Sequence, residues 1–308
     1  MRHKRTSAVD KGQAGNEPDH STDAKLPLPH CIVCAAATTK FFSIGLNGSA
    51  LHYCRCNTCG HLTATRLAAP ITYKNEEYFI NIDTGWKERN ITIFRLVHSL
   101  LRSSRFGLSN RSIVLDYGCG VGHLVNDLSV AGFDAWGFEP YAVHSGPIGK
   151  VLTSWQDVTR TVQDVELLTC IEVLEHLPQP DRFLNDVSQL IRSNGYILIS
   201  TGMFRKGFHG PDWYYLNPAA GHVSIFSENS LRMLLARHEF EPVLRASEIA
   251  WLFRKKEAHT KKDVAEKRRF LVSQVRVKTK IEIADFARRM FGIGWQPPKL
   301  LQKIWKKV

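Results

Sequence analysis

The chain lacks any uncharged apolar run near the roughly 18–20 residues that span a bilayer, so no transmembrane helix is expected. Its first twenty residues are basic and polar and contain no apolar core segment, which excludes a secretory signal. Internal repeats are absent, which excludes solenoids and propellers. Without an export signal, the 7 cysteines point to a reducing compartment, and metal binding is expected ahead of disulfides. Apolar residues make up 44% and charged residues 23% of the 308 positions, which excludes a wholly disordered chain and a collagen-like fibre.

The formal charge of +12 is concentrated at one end. Residues 254–308 hold 17 Lys+Arg and 5 Asp+Glu, and the remainder is balanced. Leu301, Ile304, Trp305 and Val308 fall at helical spacing among lysines. This predicts a short basic amphipathic helix suited to an anionic membrane surface, with RNA as a second partner. The bland alternative is a helix packed on the main domain with a solvated basic face. No RNA-binding module is evident.

The organisation expected is a polar, disordered leader (1–29), a cysteine module (30–68), a large domain (69–255) and the basic tail (256–308). A helical pattern at Ile93, Leu96, Val97, Leu100 and Leu101 leads into the large domain. Strands are expected at 112–116, 134–138, 165–170, 196–200, 240–245 and 249–253. Helices are expected at 124–131, 180–192 and 228–238, the last opened by Ser227 with half a capping box. Strand–helix alternation of this kind predicts an α/β, Rossmann-like, doubly wound sheet.

Cys31-x-x-Cys34 and Cys56-x-x-Cys59, with 21 residues between the pairs, read as a four-thiolate structural zinc site. Cys54 is a spare with poorer spacing, and Cys119 and Cys170 read as packing residues.

Asp116-Tyr117-Gly118-Cys119-Gly120-Val121-Gly122 joins a predicted strand to a predicted helix. Glycines there let the backbone approach a ligand, and the helix start supplies N–H donors. Glu139, 21 residues after Gly118, ends the next strand, where an acid binds ribose hydroxyls. The G-x-G-x-G spacing departs from a dinucleotide fingerprint. A carboxylate at Asp116 opposes a pyrophosphate and favours a cationic ligand. These points favour S-adenosylmethionine over a nicotinamide.

Glu172, Glu175 and His176 would share one face if their segment were helical. With His222 they form a candidate Mg²⁺ or Mn²⁺ site. In a metal-free alternative His176 or His222 serves as general base. In the bland alternative the segment shapes a pocket. The aromatic stretch at 211–222 reads either as an acceptor-site lid or as a surface loop packed by its own rings.

Four segments together resemble class I S-adenosylmethionine-dependent methyltransferases: LDYGCGVGHL, GFEP at 137–140, VELLTCIEVLEHLPQP at 165–180 and HVSIFSENSLRMLLARHEF at 222–240. Glu166 stands where that family usually has Asp, and Glu239 where it has Gly. The resemblance implies a seven-stranded sheet. It places Asp116, Gly118, Gly120 and Gly122 along the methionine half of the cofactor. It puts Glu139 on the ribose, and Pro140 and the Trp155–Asp157 stretch, including Asp157, around the adenine. The acid–histidine segment is similar to that of metal-dependent members, the ubiquinone-pathway and small-RNA O-methyltransferases. A zinc knuckle ahead of such a domain resembles sugar- and glycan-modifying members and some ribosomal-RNA methyltransferases. The expectation is therefore a cytoplasmic methyltransferase, peripheral to the membrane through its tail. It would act on a small-molecule or sugar/glycan-lipid hydroxyl. An RNA methyltransferase and a non-catalytic zinc-bearing adaptor are the competing readings.

Overall fold

The computed structural model describes residues 30–46, 49–65, 85–141 and 150–257. The leader, the link at 66–84 and the basic tail from residue 258, on which the amphipathic helix was expected, lie outside the described residues.

Seven strands form the main sheet: β4 (Ile113–Tyr117), β5 (Asp134–Phe138), β6 (Val151–Leu152), β7 (Val165–Ile171), β8 (Ile191–Ser200), β10 (Phe240–Arg245) and β11 (Ala250–Lys255). Their spatial order is β6-β5-β4-β7-β8-β11-β10. The pairs from β6 to β8 are parallel, and β11 is antiparallel to both neighbours. The order reverses between β4 and β7, and ligands of open α/β sheets bind at such a point, outside the carboxyl ends of the strands.

The central strands read as continuous apolar runs because both faces are covered. Leu115, Leu168, Ile197, Ile199 and Phe253 join one core, packed on α4 (Pro180–Leu190) and α5 (Glu228–Arg237). Val114, Leu167, Leu198 and Leu252 face the other, packed on α1 (Trp86–Arg102) and α2 (His123–Val130). The two-residue period of strand side chains sends neighbours to opposite cores. A fifth helix, α3 (Trp155–Thr161), follows β6.

Two expected boundaries shift. The helix expected to run to Arg192 ends at Leu190, and β8 starts at once, five residues before the apolar YILIS run. The half capping box at Ser227 is complete: its hydroxyl accepts from the Ser230 N–H at 3.1 Å, and the Ser230 hydroxyl accepts from the Ser227 N–H at 2.9 Å. A serine side chain thus serves where Glu was looked for. Glu239 sits at φ 65, a conformation glycine takes more cheaply, and it sits there as the chain turns from α5 into β10.

The cysteine module folds as β1 (Thr38–Leu46), β2 (Ser49–Cys56) and β3 (Leu62–Ala64), an antiparallel sheet. Its fourth strand comes from the large domain: β3 pairs with β9 (Ser224–Ile225) through Leu62↔Ile225 and Thr63↔Ser224. Ser227 Oγ donates to the Cys59 carbonyl at 2.6 Å, and Arg237 donates to the Val33 carbonyl at 2.5 Å. Cys31, Val33, Cys56 and Cys59 share the main core. The module is continuous with the large domain through hydrogen bonds and packing.

Candidate functional site

The glycine turn leaves β4 through three glycines of positive φ. Gly118 has φ 74, and a Cβ there would stand 2.4 Å from Val173 Cγ2, so the position takes only glycine. Gly120 has φ 55 with open space where a Cβ would point, which leaves room for a ligand against the main chain. Gly122, at φ 82, caps α2.

Glu139 Oε2 accepts from the Gly120 N–H at 3.2 Å, and Oε1 accepts from the Tyr141 N–H at 3.1 Å. These bonds aim the carboxylate at the glycine turn and leave lone pairs for a diol. Burial raises its pKa above the ordinary carboxylate range. Asp116 is 5% exposed and accepts from Thr169 Oγ1 at 2.6 Å. Burial, assisted by the charge of Glu139, pushes Asp116 up to about 7 against the pull of Thr169. A cation placed beside it would restore the carboxylate. Open space over Gly120, a diol-binding carboxylate and a buried acid seeking a cation fit S-adenosylmethionine.

The adenine side is less defined. Trp155 packs edge-on to Tyr117 and Phe138, with ring centres 5.8 and 5.3 Å away. Asp157 is more than half exposed and stands 3.9 Å from Arg160, one turn along its own helix. Pro140 is exposed at the end of β5.

The acid–histidine segment departs from the helical expectation. Glu172 has φ 54, and only Leu174–His176 turn, as a single 3-10 turn. The three side chains therefore do not share one helix face. Glu175, His176 and His222 come together, with one ligand atom from each within 4.8 Å of the others. Glu172 falls outside that cluster: its carboxylate accepts from Ser200 Oγ at 3.0 Å and from the Tyr215 hydroxyl at 3.2 Å. Burial, then the neighbouring Glu175, raise Glu172 to about 8. Glu175 is fully buried; Oε2 accepts from Thr201 Oγ1 at 2.9 Å, while Oε1 has no partner.

Burial holds both imidazoles neutral. It lowers His176 to about 4, with the proximity of His222 as the second cause. Burial likewise lowers His222 against its contact with the Tyr215 carbonyl, 2.7 Å from Nδ1. The rings lie 4.9 Å apart, and His176 Nδ1 is buried without a partner. Two neutral imidazoles beside an unsatisfied carboxylate oxygen have the donor set of a divalent-cation site.

Several contributors escaped the sequence reading. Thr169 and Thr201 lie at strand ends, Tyr215 lies in the aromatic stretch, and Arg89 of α1 lends a positive field to Glu172 and Glu175. Only the aromatic stretch carried a signal. Its rings pack on one another, Trp213 stacking on Tyr215 and on His209 just before the stretch, and the Tyr215 hydroxyl donates to Glu172.

In the cysteine module, the thiols of Cys31 and Cys59 lie 3.5 Å apart, and those of Cys34 and Cys56 lie 3.4 Å apart. All four sulfurs lie within 4.8 Å of one another. A tetrahedral zinc with bonds of about 2.3 Å sets its sulfurs about 3.8 Å apart, so the cluster fits the ion closely. Cys54 is buried outside the cluster.

Residues 86–245 match the family model described as a methyltransferase domain, over half of the chain. The ubiquinone biosynthesis O-methyltransferase of Photorhabdus laumondii is 32% identical over 123 residues, 36% of this chain and 50% of that one. The namesake from Pseudomonas aeruginosa is 28% identical over 162 residues, 48% of this chain and 64% of its own. The chain spans about half to two thirds of the length of these curated relatives. Among solved structures, Burkholderia thailandensis 1,6-didemethyltoxoflavin-N1-methyltransferase is 16% identical with TM-score 0.41, covering 70% of this chain and 99% of that one. The family match and the glycine turn with Glu139 establish that the chain belongs to the class I S-adenosylmethionine-dependent methyltransferases.

Proposed function

We propose that the protein transfers a methyl group from S-adenosylmethionine to a hydroxyl oxygen of a small-molecule acceptor. The observation that carries this reading is the cluster of Glu175, His176 and His222. It provides neutral imidazoles and an unsatisfied buried carboxylate oxygen just past β7, the strand beside the glycine turn.

Glu139 holds the ribose hydroxyls, Gly118 and Gly120 let the main chain approach, and Asp116 faces the cationic methionine half. Bound there, the cofactor supplies an electrophilic methyl on a sulfonium. The chain's own task is to orient the acceptor and take its proton. His222, neutral and anchored through Nδ1 to Tyr215, is the base in a metal-free site. A Mg²⁺ ion held by Glu175, His176 and His222 would instead acidify a hydroxyl bound to it. Four thiolates leave zinc no open position, so the zinc of the cysteine module is structural.

A sugar or glycan-lipid acceptor is the finer reading, supported by the zinc knuckle built onto the domain. The basic tail, with its apolar spacing from Leu301 to Val308, supports attachment to an anionic membrane surface.

The test uses cofactor labelled in its methyl group, offered with vicinal-diol small molecules, free and lipid-linked sugars, and RNA. The reading predicts label in a hydroxyl-bearing small molecule or sugar. It also predicts that His222→Ala slows turnover about 10²–10⁴-fold with cofactor affinity retained. Label confined to RNA would overturn it.

A further inference from the structure

The cysteine module carries a cation that its thiol cluster does not use. Arg55 lies on β2, one residue before Cys56, and strand alternation turns the two side chains to opposite faces. Arg55 shares its face with Leu51 and Tyr53, which pack with Phe204, Tyr215 and Leu216 of the large domain. The Arg55 guanidinium stands over the Phe204 ring, 5.7 Å from its centre.

Arg55 is half-buried, and among the described residues its side chain makes no hydrogen bond and no ion pair. Other arginines of the fold are matched: Arg205 with Glu248, Arg237 with Asp181 and Arg254 with Glu241. A cation partly withdrawn from water costs free energy unless a counter-charge meets it. Only Nε of Arg55 is sealed from solvent, and the two terminal nitrogens keep their access. Those terminal nitrogens form a planar fork that matches the two oxygens of a carboxylate or phosphate.

The surroundings seat this group at the mouth of the methyl-transfer region. A bulge in β1 sets Phe41 between Lys40 and Phe42, and the Phe41 ring meets Phe204 edge-on at 5.3 Å. Bulges re-aim side chains in this way. His209 and Trp213, both part-exposed, lie 6.1 and 6.3 Å from Phe204. Two short routes lead from the Arg55–Phe204 contact to the cluster. Tyr53, two residues or about 7 Å along β2, donates to the His222 carbonyl. Phe204 follows Thr201, whose hydroxyl holds Glu175, by three residues.

We propose that Arg55 binds an oxyanion, carboxylate or phosphate, carried by the methyl acceptor. The cysteine module thereby reads the acceptor's charge, while the cluster of Glu175, His176 and His222 receives its hydroxyl. That the anion belongs to the acceptor rests on the proposed function; the oxyanion site at Arg55 does not.

The test is calorimetry on the full, zinc-loaded chain with S-adenosylhomocysteine saturating, which fills the glycine turn. The probes are phenyl phosphate, benzoate and benzyl alcohol, alike in their ring and different in charge. At least one anion should bind at a single site, at least about tenfold tighter than the alcohol. The tighter of the two anions identifies the source as phosphate or carboxylate. Arg55→Met keeps an unbranched stem over Phe204 and removes the fork. It should weaken anion binding at least about tenfold, with zinc content and S-adenosylhomocysteine affinity unchanged. Arg55→Lys keeps the charge and the fold, loses the fork, and should bind the anion between these limits. Anions that bind no tighter than the alcohol, or that bind either variant as tightly as the parent, would overturn the site. So would loss of zinc from Arg55→Met, which would make the guanidinium a support of the module. A second arm follows the His222 ring resonances in histidine-labelled chain, assigned with His222→Ala. Their movement on anion binding supports an acceptor-borne anion; unmoved resonances with the anion bound overturn that part. Failure of S-adenosylhomocysteine to bind would count against the proposed function, while the anion titration would still report on Arg55.

Discussion

Replacing Tyr53 by Phe removes one hydroxyl from the joint between the cysteine module and the cluster of Glu175, His176 and His222. The ring is fully buried and stacks on Phe42 with centres 5.1 Å apart, and Phe keeps both features. The hydroxyl donates to the main-chain carbonyl of His222. Its loss leaves a part-buried acceptor unmade, which costs about 1–3 kcal/mol. The neighbouring chain stays tied by Ala64 N–H to the Val223 carbonyl at 2.9 Å and by Val223 N–H to the Glu175 carbonyl at 2.8 Å. The variant therefore folds, but His222 is held from one side only. Urea unfolding at 25 °C should show a stability loss of about 1–3 kcal/mol. The kcat should fall while the KM for S-adenosylmethionine stays within twofold, because neither Tyr53 nor His222 bonds to the glycine turn among the described residues. A variant as stable and as active as the parent would refute a mechanical link between module and site.

Three further predictions concern the cofactor and zinc sites. Gly118→Ala should destabilise by about 2–4 kcal/mol, from its left-handed conformation and the clash with Val173, and Val173→Ala should recover part of the loss in denaturant melts. Asp116 has its folded pKa raised to about 7 from an ordinary 3.8, so its contribution to stability is full below 3.8 and lost as pH rises through 7. Thermal melts of the free protein should show that decline at up to about 1.4 kcal/mol per pH unit, and Asp116→Asn should flatten it. Cofactor affinity, read by calorimetry, should move the opposite way, rising with pH up to about 7, because a cationic ligand binds the carboxylate form. Elemental analysis should find one equivalent of zinc in the parent and none in Cys56→Ser, whose melting temperature should fall, since a metal held by the folded state alone adds its binding energy to folding.

Much of the architecture was legible because parallel strands buried on both faces leave unbroken apolar runs, as at residues 113–115 and 196–199. The start of β8 was not: Ile191 pairs with Val165, but Arg192, Ser193 and Asn194 are exposed and polar and form an irregularity before pairing resumes at Tyr196. The two CxxC pairs were legible because knuckle spacing is local. The β3–β9 pairing that binds the cysteine module to the large domain joins short segments far apart in the chain, and nothing in either segment announces the other. The acid–histidine segment differs in shape from its sequence spacing for a related reason. E-V-L-E-H has helical spacing, yet Glu172 takes φ 54, and its carboxylate turns to Ser200 and Tyr215, partners set by tertiary contacts. His222 joins Glu175 and His176 from 46 residues downstream of His176, as the candidate cation set expected, while Glu172 of that set does not.

The most direct test of the account is native mass spectrometry of the full chain with S-adenosylhomocysteine in excess. The account predicts one bound zinc and one bound S-adenosylhomocysteine, with the second adduct lost in Glu139→Ala and the zinc retained. A zinc-loaded chain that takes up no S-adenosylhomocysteine at high excess would contradict the methyltransferase reading and favour a zinc-bearing adaptor built on the same fold.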